Sequence, residues 1–86
     1  MAKEENKPEK KFRAGAVSAT VWLNKGKDKD GKEVEFRTVS VSRTYKDKND
    51  EWQNTSTMRV NDLPKLGVVT SKAYEYLVIK EDNALE

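Results

Sequence analysis

Apolar and polar residues alternate along much of the first sixty positions. Between Phe12 and Leu23, Val17, Ala19, Val21 and Leu23 share one side, and Ala16, Ser18, Thr20 and Trp22 share the other. A period of two with β-branched residues predicts a half-buried strand. A second strand is expected from Val34 to Tyr45. There Val39, Val41 and Tyr45 share a face, and Phe36, Thr38, Ser40 and Ser42 share the opposite one. A third is expected from Trp52 to Val60, where Trp52, Met58 and Val60 alternate against Gln53, Thr55, Thr57 and Arg59. That phase assigns Trp52 to the core, with a place in a binding site as the alternative. Asn24–Glu33, with Gly26 and Gly31 among alternating Lys and Asp, reads as a hairpin loop, and Lys46–Glu51 as a second turn.

Beyond Val60 the period lengthens. Asn61 or Asp62 caps a helix, and Pro64 is tolerated in the first turn, where no intrahelical N–H is required. Leu66, Val69, Ala73, Tyr76 and Leu77 then recur near helical spacing, and the helix is expected to fray near Lys80. Gly67 and the run Val68-Val69-Thr70 weaken its first half, leaving a short extra strand there open. A fourth strand also arises if the first one breaks near Gly15. Residues 1–11 lack periodicity and read as a disordered arm; residues 12–80 form a single β-β-β-α domain. Residues 81–86 read as an unstructured tail, and Leu85-Glu86 matches a cloning scar.

The expected fold is α+β: an antiparallel meander of three to four strands followed by one C-terminal α-helix packed on the sheet. Val17, Val21, Val39, Val41, Met58 and Val60 form the sheet side of the core. Aligning Val17 with Val41 pairs Ser18 with Ser40, Thr20 with Thr38 and Trp22 with Phe36. Aligning Val39 with Met58 sets Val60 opposite Arg37 and adds Gln53, Thr55, Thr57 and Arg59 to the other face. A small OB-like barrel is the runner-up; five strands and a helix fit poorly into this length.

Composition narrows the chemistry. At 86 residues the chain holds one small domain, and with 35% hydrophobic against 37% charged residues its core is small. Burial in a homodimer would help it. Cysteine and histidine are both absent, which excludes disulfides, thiolate or imidazole metal sites, cysteine nucleophiles and histidine-based triads. No Gly-rich phosphate loop precedes the helix. Asp28-Lys29-Asp30-Gly31-Lys32-Glu33 resembles part of a calcium loop but lacks the correctly spaced terminal Glu and flanking helices. The expectation is a non-enzymatic protein with no cofactor, no metal and no small-molecule substrate. No apolar run of about 18 residues exists and none follows Met1, so the expected setting is cytoplasmic, away from membranes.

Charge matters by distribution. Seventeen basic and fifteen acidic residues leave a net +2. Yet segments 12–23, 36–45 and 52–60 contain no Asp or Glu and hold all four arginines, Arg13, Arg37, Arg43 and Arg59. Depletion of acids from strands is one explanation. The other is a binding face for single-stranded DNA or RNA, with aromatics for stacking and hydroxyls and arginines for phosphates and base edges. The candidate contacts are Trp22, Phe36, Arg37, Thr38, Ser40, Arg43, Thr55, Thr57 and Arg59. In the expected register Arg37 and Arg43 fall on the helix side and reach the site only from the rim or through a bulge. Trp22 and Phe36 also read as an ordinary cross-strand pair, and the Ser/Thr face as a dimer interface. The rival function is a protein-interaction or structural module indifferent to nucleic acid.

Two resemblances add to this. Residues 45–55, Arg59-Val60-Asn61-Asp62-Leu63-Pro64-Lys65 and Lys72-Ala73-Tyr74-Glu75-Tyr76-Leu77 resemble a small family of uncharacterised prokaryotic proteins, a likeness covering most of residues 11–80 and implying no activity. More remotely, strands followed by a helix behind a Lys-rich arm resemble the single-stranded-DNA-binding domain of the positive-cofactor-four and Whirly group. Met58–Lys65 resembles that group's passage from last strand into helix. The resemblance implies a dimer binding unpaired DNA on β-surfaces. It also implies four strands per repeat, one more than the alternation predicts, and transfers no individual contact residue.

Overall fold

The structure, a computed structural model, describes residues 5–79. Its elements are β1 (Glu5–Ala14), β2 (Val17–Lys27), β3 (Glu33–Lys46), β4 (Trp52–Thr55), a 3-10 turn (Val60–Asp62) and α1 (Leu63–Val78). The strands form one four-stranded antiparallel sheet in the order β1-β2-β3-β4, and α1 packs on one of its faces. The architecture is the expected α+β meander with a C-terminal helix.

The expected first strand is in fact a hairpin. Gly15 has φ of 62°, which supplies the left-handed residue that a two-residue connection between Ala14 and Val17 needs. The fourth strand therefore comes from the break near Gly15, and Val68-Val69-Thr70 is helical. Residues 5–11, expected as a disordered arm, are paired in β1 instead. Pro8 is tolerated because β1 is an edge strand, and the ladder shifts register between Pro8 and Lys10. The expectations for residues 1–4 and for the tail from Lys80 lie outside the described residues.

Two tight turns set the remaining register, and they are built alike. Asp28 Oδ1 accepts the backbone N–H groups of Asp30 and Lys32, both at 2.9 Å. Asp47 Oδ1 accepts those of Asn49 at 2.8 Å and Glu51 at 3.0 Å. Each turn closes through one residue of positive φ, Gly31 at 80° and Asp50 at 65°. The segment resembling a calcium loop thus spends its first carboxylate on its own backbone.

In the first of these hairpins Ala19 faces Val41 and Val21 faces Val39, two residues away from the expected alignment. A shift of two keeps every side chain on its face. It moves Trp22 opposite Thr38 and Phe36 opposite Asn24. The third expected strand is corrected more deeply. The Asp47 turn sets Trp52 opposite Lys46 and Thr55 opposite Arg43, and β4 ends at Thr55. Val39 does not pair with Met58, nor Arg37 with Val60. Gln53 and Thr55 lie on the helix side, and Trp52 and Asn54 on the other.

The core lies between α1 and the first two strands. Val17, Ala19 and Val21 of β2 are fully buried against Val69 and Ala73 of α1, and Phe12, Ala14, Val41, Met58, Leu66 and Leu77 pack around them. The two alanines let helix and sheet approach closely, and each buried valine contributes roughly 1.5–3 kcal/mol before ordering entropy is counted. Because α1 crosses mainly β1 and β2, the helix side of β3 is covered only in part: Val41 packs on the core, but its neighbours along the strand are less protected. Val39 and Tyr45 are exposed, and Val60, expected in the core, is 80% exposed.

Candidate nucleic-acid interface

The face of the sheet away from α1 is set by the register. β1 presents Pro8, Lys11 and Arg13 there, and β2 presents Ser18, Thr20, Trp22 and Asn24. β3 adds Phe36, Thr38, Ser40, Ser42, Thr44 and Lys46, and β4 adds Trp52 and Asn54. None of these is acidic. Glu33 and Glu35 pair with Lys27 and Lys25, which belong to the helix-side register of β2. Glu9, at the β1 irregularity, is also turned to the helix side, where it meets Arg37 and Tyr76.

Side-chain hydrogen bonds order this open face. The Trp22 indole N–H donates to Ser40 Oγ at 2.8 Å. Asn24 Nδ2 donates to Thr38 Oγ1 at 3.1 Å and to the Phe36 carbonyl at 3.2 Å. Ser18 and Ser42 share a hydrogen bond of 3.2 Å. The first of these bonds turns the Trp22 indole toward Ser40, while Phe36, on the other side of Thr38 and opposite Asn24, is 46% exposed. Trp22, Phe36, Thr38 and Ser40 thus share this face, although Trp22 and Phe36 are not the directly opposed pair of the expected register.

The other predicted contacts are placed elsewhere. Arg37 lies on the helix side, where its Nε donates to Glu9 Oε1 at 2.9 Å. The second oxygen of Glu9 accepts from the Tyr76 hydroxyl. This bond, with Arg37 as the next favourable partner, holds the Glu9 carboxyl below its ordinary 4.5, and it raises the Tyr76 hydroxyl above 10.0. Arg43 also lies on the helix side. Its Nε donates to the Thr57 carbonyl at 3.1 Å, pairs with Asp62 Oδ2 at 3.2 Å, and its guanidinium stands 5.5 Å from the Tyr45 ring centroid. The same Asp62 oxygen accepts the Arg59 N–H at 2.9 Å. Thr55 Oγ1 accepts the Thr57 N–H at 3.1 Å. Arg43, Thr55, Thr57 and Arg59 therefore build the passage from β4 into α1.

Four open-face residues were missed from the sequence: Lys11, Arg13, Lys46 and Trp52. Trp52, expected in the core, is 68% exposed. It borders an open concavity of about 470 Å³ with Arg13, Gly15, Ala16 and Thr44. The signal for Lys11 and Arg13 was the change of alternation phase across Gly15-Ala16. Phe12 and Ala14 are even-numbered core positions, whereas Val17, Ala19 and Val21 are odd.

Among the described residues no group of three or more carboxylates is placed to hold a metal ion, and no helix is long and apolar enough to cross a membrane. Comparison with protein-family models, with characterised proteins and with solved structures finds no match to this chain.

Proposed function

We propose that this is a non-enzymatic, sequence-tolerant binding protein for single-stranded nucleic acid, acting through the open face of the sheet. The observation that carries this reading is that no strand position on that face is acidic, while Lys11, Arg13 and Lys46 stand there with three aromatics; the nearest acid is Asp50 of the second turn, in an exposed pair with Lys46 at 3.4 Å. Phosphates meet little repulsion there, since an exposed pair such as Lys46 with Asp50 is weak, and Trp22 and Phe36 offer rings to bases. Hydroxyls of Thr38 and Ser40 border those rings and are of the kind that bond phosphates or base edges without demanding one sequence.

The test is fluorescence anisotropy of labelled oligo-dT at about 50 and 200 mM salt, with duplex of equal length as control. Salt-sensitive binding of the single strand alone is the expected result. Indifference to the single strand at the lower salt overturns the reading.

A second reading rests on the opposite side. Val39 and Tyr45 of the sheet, and Leu63, Tyr74 and Val78 of α1, are apolar side chains left substantially exposed on this side. They favour a protein partner, and we assign them to a homodimer that leaves the open face free. A sedimentation coefficient of a monomer at micromolar concentration would count against it.

A further inference from the structure

Trp52 is the most exposed aromatic ring among the described residues, and it stands apart from Trp22 and Phe36. Trp22 lies opposite Thr38 and Trp52 opposite Lys46, eight positions along β3, which is about 27 Å at ~3.4 Å per residue. Ser40, Ser42 and Thr44 line the open face between them. The concavity beside Trp52, about 470 Å³, is open to solvent and has room for one stacked base.

Its lining is suited to one nucleotide. Arg13 stands at its edge, fixed by the bond from its Nε to the Gly15 carbonyl at 3.1 Å. The Thr44 N–H donates to the Ala16 carbonyl at 2.9 Å, which ties β3 to the hairpin turn and shapes the floor. Lys46 Nζ lies 5.3 Å from the Trp52 ring centroid and 3.4 Å from Asp50 Oδ1, and no other ring stacks on the indole among the described residues. An exposed indole with an arginine across a concavity provides a stacking surface with one anion partner, and Lys46 becomes a second when a phosphate replaces its weak exposed pair with Asp50.

We infer that the Trp52 concavity is a second, separate station of the open face: it takes one base of a single strand by stacking on the indole, with Arg13 and Lys46 on the flanking phosphates. This rests on the reading of the open face as a single-strand site. At a stacked rise of ~3.4 Å, a strand of about eight nucleotides spans the distance from Trp22 to Trp52, and fewer suffice when it is extended. Binding therefore depends on length, because the two stations act together only on a strand that reaches both.

The experiment compares dT4 and dT12, both fluorescein-labelled, on the full chain and on Trp52→Ala, Trp52→Phe and Trp22→Phe. The wild type binds dT12 far more tightly than dT4. Trp52→Ala loses about five- to a hundredfold of dT12 affinity and most of the length dependence, and Trp52→Phe recovers much of both. Circular dichroism checks that Trp52→Ala is folded. The chain has two tryptophans, so in Trp22→Phe the remaining emission is that of Trp52, and dT12 quenches it. A Trp52→Ala variant that binds dT12 like the wild type, together with unquenched Trp52, overturns the second station while the open face stands. Absence of dT12 binding by the wild type overturns both.

Discussion

Arg43 has only 13% of its side chain exposed, and its Nε meets both the Thr57 carbonyl and the Asp62 carboxylate. A guanidinium so engaged is a tie between β3 and the segment that leads into α1. Arg43→Ala leaves Asp62 and the Thr57 carbonyl short of a donor and is expected to cost about 1.5–3 kcal/mol in urea unfolding. Oligonucleotide affinity of the folded variant should be unchanged, since Arg43 lies on the helix side. Glu9 works similarly between β1, β3 and α1. Its carboxyl is held below the ordinary value by Tyr76 and then Arg37, so the stability it supplies is present above the ordinary carboxylate range and is lost as pH falls through the lowered folded value. Glu9→Gln is therefore expected to melt below the wild type near pH 7, with the gap closing near pH 3, as thermal melts across about pH 3–7 will show. Asp47 is lowered too, through the Glu51 N–H and Gln53, but titrates alike in both proteins and drops out of the difference.

At the level of elements, the two Asp turns carry the same hydrogen bonds on different residues at the left-handed position. Gly31 has no Cβ to strain, whereas Asp50 holds φ of 65° with one. Asp50→Gly removes that strain and adds unfolded-state freedom, and its exposed pair with Lys46 is worth little. A gain of up to about 1 kcal/mol is expected in urea unfolding, and Gly31→Ala should lose at least as much. These turns also decide what was legible beforehand. Alternation located β2, β3 and the helix, because one buried face imposes its period wherever a strand or helix is long. It erred where a short irregular stretch reset the phase. Two turn residues at Gly15-Ala16 shift the core positions from even to odd, so one long strand was read where a hairpin stands. Ser56–Arg59 does the same beyond β4, so the phase of Met58 and Val60 did not extend back to Trp52. The shared face of Trp22 and Phe36 was legible, though not their pairing, because a slip of two residues preserves faces, whereas Trp52 depended on the single phase that failed.

For the molecule as a whole, the net charge of +2 understates what a phosphate strand meets. Acids occupy the helix side and the turns; a sheet with its side chains separates the helix side from the open face by a distance comparable to the Debye length of about 8–10 Å, and the turn acid Asp50 meets Lys46 only in an exposed pair of little strength. The strand therefore responds mainly to Lys11, Arg13 and Lys46. Three phosphate contacts set a slope of log K against log salt of about −2, using roughly −0.7 per contact for single strands. Reversing Lys11 and Lys46 to Glu should flatten that slope and remove most of the affinity. Reversing Lys29 and Lys48, which are exposed in the two turns, alters the net charge equally and should leave slope and affinity close to wild type. The paired titrations separate a local surface from an overall charge. Equal losses in both double variants would mean that total charge governs binding, and the open face would then have no privileged role.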